Sequence, residues 1–456
     1  SPDTRRFPSP STLMTIHTSA DGDIDMYATH WGGPGEDYRL KKISSVNINE
    51  VNGISAPAPD DAAPVWQTPK ALHSFPWFEV LMMTVGSIGL LGLVVFWLSP
   101  ASSGIASLAK TTLLAVVPLS IVLSFILFID RWEPEPWKTK GALFLWGAGV
   151  ATLSSGILNT ALEENIILST GDLQQSQALG ASFIAPLVEE TLKGLGVLIV
   201  VVVRRTSINS VIDGVVYAGF SAGGFMFAED ILYFVRLDNP EAGGVLWTFV
   251  IRGLASPFVH AMATSMTGIG LALALMRFKR GWSKTGVVLV FWFFAMVVHF
   301  GWNGTVTFLG QYFFLLYVLV GVPAFLVWAV TLIILSHKEA EKIRVGLVPY
   351  VRTGWLIPGE VTMVTDRRAR RAALKWAGSG GREAKRAMRS FLVNVASLGM
   401  DQRLMAKYGP DHARIENDQQ MLTQAVENRR EFLRLTSIAE QQQDVTDAVS
   451  RLARAQ

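Results

Sequence analysis

The sequence contains no cysteine. Disulfides, thiol nucleophiles and cysteine-ligated metal centres are therefore excluded, while the redox compartment stays open. Charge is scarce as well: 17% of the 456 residues are Asp, Glu, Lys or Arg, against about a quarter in a soluble globular domain. No basic-then-apolar stretch opens the chain, so no secretory signal is expected at its start. What is present in quantity is apolar surface. Half of the residues are hydrophobic, mean hydropathy is +0.34, and the 14 tryptophans suit the interfacial aromatic belts of a membrane protein. Most of this chain is expected to live in lipid.

Residues 1–76 are rich in Pro, Gly, Asp, Ser and Asn without lasting periodicity, and read as a flexible polar leader. Apolar stretches follow at 78–98, 111–129, 140–160, 182–203, 211–235, 250–276, 286–309 and 312–336. Each approaches the roughly 20 residues that cross a hydrocarbon core, and runs this long span lipid as helices. The expected fold is all-α: a polytopic bundle of about eight transmembrane helices over 77–336, followed by a soluble helical C-terminal domain. The third stretch is the weakest, because Glu163 and Glu164 follow it closely. Arg131, Lys138, Lys140, Arg204, Arg205, Arg277, Lys279, Arg280 and Lys284 fall in alternate loops. By the positive-inside rule both termini are cytoplasmic in the cell membrane.

From His337 onward the chain carries 21 Lys/Arg against 14 Asp/Glu. Its patterns RRARRAALKW and REAKRAMRSFLVNVASLG are amphipathic helices, expected to form a basic cytoplasmic domain (337–456) near anionic headgroups. Nucleic acid is the sharper alternative partner, but no recognition motif accompanies the charge.

Within the apolar region a few costly groups stand out. Glu189 and Glu190 sit side by side with Lys193 one turn on, in SFIAPLVEETLKGLG. A charged side chain at mid-bilayer costs about 2.5–3.5 kcal/mol on insertion scales, and such groups mark wet or paired functional interiors. On a helix Lys193 reaches either carboxylate. Phe225 and Glu229 share the next helical face, His260 is flanked by small residues that admit a close neighbour, and His299 and Asn303 are one turn apart. Taken singly, each has a plain structural alternative: a buried ion pair, an interfacial span end, a hydrogen-bonding strut or an interhelical clasp. Depth argues otherwise. At 1.5 Å per residue, Glu190 lies about 12 Å from the outer end of its span, Glu229 and Asn303 about 9 Å, and His260 and His299 about 15 Å. Packing struts have no reason to coincide in depth, whereas members of one site do.

The set E-E-x-x-K (Glu189, Glu190, Lys193), F-x-x-x-E (Phe225, Glu229), His260 and His299 resembles the PrsW family of intramembrane proteases, relatives of the type II CAAX prenyl endopeptidases and bacteriocin-processing enzymes. The acidic–proline segment DRWEPEPW, Asp130 to Trp137, resembles the loop that precedes the family's core, and the likeness covers about 111–336. It implies peptide-bond hydrolysis of a membrane-anchored protein, such as a single-pass anti-sigma factor approached from outside. With no thiol and no serine in a nucleophile setting, water is the expected nucleophile. One of Glu189 and Glu190 is the expected base, since adjacent carboxylates resist joint ionisation. His299 and Asn303 are expected to steady the oxyanion, and His260 and Glu229 to orient the water or complete a metal site. Glu229, His260 and His299 are the right ligand types for zinc, but H-E-x-x-H is absent, so a metal-free route stands equally open. Two rival readings remain: a transporter using the same groups as a proton relay, and an inactive membrane scaffold.

Overall fold

The computed structural model describes residues 12–18, 24–30, 39–46, 76–98, 104–238 and 244–454. The chain divides into two compact units, Ser74–Ser336 and a second made of Ser1–His73 with His337–Gln456.

The first unit is a helical membrane bundle. Its helices are α1 (Trp77–Trp97), α2 (Gly104–Ile129), α3 (Trp137–Leu145), α4 (Thr152–Thr170), α5 (Leu173–Leu179), α6 (Ala185–Val203), α7 (Val211–Leu237), α8 (Val245–Thr248), α9 (Val259–Arg277), α10 (Gly281–Phe308), α11 (Phe313–Leu316) and, up to Ser336, α12 (Val322–Arg352). Among the described residues seven helical runs are long and apolar enough to cross a membrane. The expected fourth span is helical but not one of them, because Glu189, Glu190 and Lys193 set it apart by composition. The third span outruns its expected end. A π-helical turn at Trp146–Ala151 joins α3 to α4, and the run continues past Glu163 and Glu164 to Thr170.

The α7 helix lies at the centre, with 89% of its most apolar stretch buried. A capping box starts it: Ser210 accepts from the Asp213 amide, and the Asp213 carboxylate accepts from the Ser210 amide. The small residues of AGFSAGGFMF lie within unbroken α7 and serve close packing. A Cβ on Gly268 of α9 would lie 2.1 Å from the Gly214 carbonyl oxygen of α7, and one on Gly224 would lie 2.0 Å from that of Phe144 in α3. Only glycine permits such approach.

The expected sixth span, 250–276, is interrupted. A π-helical stretch, Phe249–Ala255, continues α8, and the chain breaks before α9 begins at Val259. Pro257 supplies the cause: it lacks an amide donor and disfavours the α conformation in the residue before it. Ser256 accordingly sits at φ −130°, ψ 36°.

A polar network closes the bundle end where α1, α3 and α7 start and α2 and α6 finish. Lys140 pairs with Asp130 at 2.7 Å, the Tyr217 hydroxyl donates to Glu135 at 2.5 Å, and Asn209 donates to Glu133 at 2.8 Å. Arg204 pairs with Glu79 at 2.5 Å. The acidic–proline segment is thus folded into the bundle end. Burial pushes the Asp130 carboxyl up to about 7, outweighing the attraction of Lys140. Burial and the Asp213 charge push Glu135 well above the usual carboxylate range.

In the second unit, strands β1 (Thr12–Thr18), β2 (Ile24–His30) and β3 (Arg39–Val46) pair antiparallel in that order. The rest of the expected polar leader up to residue 75 lies outside the described residues. The same unit contains α13 (Pro358–Thr365), α14 (Arg367–Ser379), α15 (Gly381–Tyr408) and α16 (His412–Arg454). Arg429 clamps it by pairing with Glu360 at 2.7 Å and donating to the Trp355 carbonyl at 2.8 Å. Arg414 pairs with Asp401.

Candidate active site

Four helices supply the site. After the π-helical turn Gly180–Ile184, α6 carries Glu189, Glu190 and Lys193 on its buried face. Phe225 and Glu229 come from the second half of α7, His260 from the first turn of α9, and His299 from the second half of α10.

Glu190 is fully buried and wholly engaged. Its Oε1 lies 2.5 Å from Lys193 Nζ and 2.9 Å from His299 Nδ1, and its Oε2 accepts from the Thr264 hydroxyl at 2.8 Å. Lys193 Nζ also lies 3.1 Å from His260 Nδ1, 3.7 Å from Glu189 Oε2 and 4.2 Å from the centre of the Phe225 ring. His260 Nε2 is 3.0 Å from Glu229 Oε2. Arg252 pairs with Glu229 at 2.6 Å and with Asp230 at 3.0 Å. The two imidazoles meet edge to face, 5.0 Å between centres. Glu189 Oε2 is buried without a hydrogen-bond partner, 3.8 Å from His299 Nε2, and Asp230 Oδ2 is likewise buried without one. A buried carboxylate oxygen left bare is costly unless something else is meant to meet it.

The fold brings these side chains together in one constellation. Asn303 is the exception. It is half-buried, and its Nδ2 donates to the Ala181 carbonyl at 2.9 Å. Sharing a helical face with His299 brings Asn303 to the π-helical turn before α6 and not to the carboxylates. The sequence reading missed Arg252, Thr264 and Asp230. Thr264 was legible, one turn after His260. Arg252 is an isolated cation inside an apolar run, a signal as strong as that of Glu189.

Residues 135–328 match the PrsW family of intramembrane metalloproteases. Every side chain just described falls inside the matched segment, and the likeness read from the sequence motifs is to the same family. Protease PrsW of Clostridioides difficile (strain 630) is 30% identical over 122 residues, which cover 26% of this chain and 49% of that protein. The chain thus spans about half the length of that curated relative. No solved structure matches it.

The family description names a metal, and the donors present fit one. Glu189, His260 and His299 offer ligand atoms within 4.8 Å of one another, and the bare oxygen of Glu189 is among the atoms left over. Each imidazole has one nitrogen against a carboxylate, Glu190 for His299 and Glu229 for His260. Outer carboxylates of this kind orient metal-binding histidines. The converging carboxylate is Glu189, where the sequence reading had put Glu229; Glu229 is committed to Arg252 and His260.

Proposed function

We propose that this protein is an intramembrane endopeptidase that hydrolyses a peptide bond of a membrane-anchored protein. The observation that carries the reading is the convergence of Glu189, Glu190, His260 and His299 around one buried point, with Glu189 Oε2 unclaimed. Water is the nucleophile. Glu189 Oε2 takes its proton, while Glu190 is occupied by Lys193, His299 and Thr264 and serves to hold them. The Lys193 ammonium provides positive charge for the developing oxyanion in a dry setting, where such groups act most strongly. Glu229, braced by Arg252, fixes the His260 ring.

Glu189, His260 and His299 are also the residues that would hold a divalent ion, zinc first by ligand type. Such an ion would supply an acidified water and polarise the carbonyl. The test is cleavage of a single-span reporter by the purified protein. Activity is expected to vanish in chelator and return with zinc; full activity in chelator would leave Glu189 alone as the activating group. No cleavage under any condition, with the fold intact, would remove the protease reading. The anti-sigma factor substrate belongs to this proposal on the strength of the family resemblance.

A further inference from the structure

Two adjacent helices of the second unit carry basic stripes opposite their buried faces. On α14, Arg368, Arg371 and Lys375 are exposed at spacings of three and four, while Ala373 and Ala377 are buried. On α15, Arg382, Lys385, Arg386 and Arg389 repeat the pattern, with Ala384, Ala387, Met388 and Phe391 buried behind them. At 100° per residue the α14 cations fall within about 60° of arc and the α15 cations within about 100°. Glu383 is the single acidic residue between Arg367 and Arg389. Within each stripe the like charges, three on α14 and four on α15, repel one another, and the apolar residues needed for packing already face the other way. The helices fold as they do without needing these cations, so the stripes are available to a polyanion.

We propose that this surface binds the anionic phospholipid headgroups of the membrane in which the chain is itself anchored. Charge complementarity names the class of partner. Connectivity names the source: α12 runs without a break from its apolar stretch, which ends at Ser336, to Arg352, and α14 begins shortly afterwards. The surface is therefore covalently joined to a membrane-spanning segment, which presents a bilayer to it at high effective concentration. Juxtamembrane basic clusters draw their binding from the negative surface potential of such a bilayer, and the attraction fades within a Debye length.

The absence of cysteine makes the test direct. A single Ala372→Cys substitution beside the α14 stripe takes a spin label in the full-length protein, reconstituted into phosphatidylcholine vesicles with or without phosphatidylglycerol. In the mixed vesicles the label should be shielded from a water-soluble relaxation agent, and molar salt should release it. The variant Arg382→Gln/Lys385→Gln/Arg386→Gln/Arg389→Gln should shift the docked-to-free ratio by about a hundredfold or more. Its changes lie on an exposed face, and unchanged helical content checks its fold. Equal shielding in pure phosphatidylcholine, indifference to salt, or no effect of the four substitutions would each overturn the proposal. So would salt-sensitive binding of a labelled DNA or RNA duplex with no dependence on anionic lipid, which would assign the surface to nucleic acid.

Discussion

Glu189 and Glu190 are neighbours in sequence with opposite circumstances. Glu190 is the counterion of a fully buried lysine and receives two further hydrogen bonds, whereas Glu189 keeps an oxygen bare. Removing the charge of Glu190 leaves Lys193 short of its nearest partner, and breaking a buried pair costs about 3–5 kcal/mol. Glu190→Gln is therefore expected to lower both thermal stability and activity. Glu189→Gln should melt near the parent temperature while reporter cleavage falls by about 10²–10⁴, the range for loss of a general base. Equal melting points with equal activity losses would undo this division of labour. The sequence made both residues conspicuous through their cost in lipid, but not which was occupied, because Thr264 and His299 lie far along the chain. Asn303 misled for a related reason: helical spacing tells which face a residue shares, not what that face meets.

At the scale of elements, long apolar runs with nearly unbroken pattern read out well, and their interruptions did not. Pro257 was visible, yet the apolar residues around it masked a break that sets His260 at a helix start. That the glycines of α7 serve contact with α3 and α9 follows only from the tertiary packing. The network at the opposite bundle end was legible only as an acidic, proline-rich loop. Folding draws Asp130 out of water and raises its pKa from 3.8 to about 7. Between those values the folded state binds more protons than the unfolded one, so stability falls as pH rises across that window. Glu135, raised as well, acts in the same direction. A melting series from pH 4 to 8 should slope downward, and Asp130→Asn should flatten it. A slope unchanged in the variant would place the cause elsewhere.

Across the whole molecule the bundle is polarised. The candidate catalytic groups occupy the starts of α6 and α9 and the far halves of α7 and α10, whereas the basic loop residues Arg204, Arg205, Arg277, Lys279 and Arg280 fall at the other ends of α6 and α9. The two ends have unlike chemistry: carboxylates and imidazoles together at one, carboxylates paired with Lys140 and Arg204 at the other. If the basic loops face the cytoplasm, the active groups lie toward the outer surface, and a substrate span should be cut on its outer side. A reporter with distinct tags on its two flanks measures this. The expected product pattern is a short released outer fragment and a membrane-retained inner one. Tag accessibility in intact cells should place residues 204–205 and 277–280 of the protein inside. Cleavage on the inner flank with the same loop topology would break the link between site depth and substrate side. Inversion of both together would keep that link and reverse the orientation. This outcome is decided by a handful of loop charges, which is why orientation is legible in the sequence.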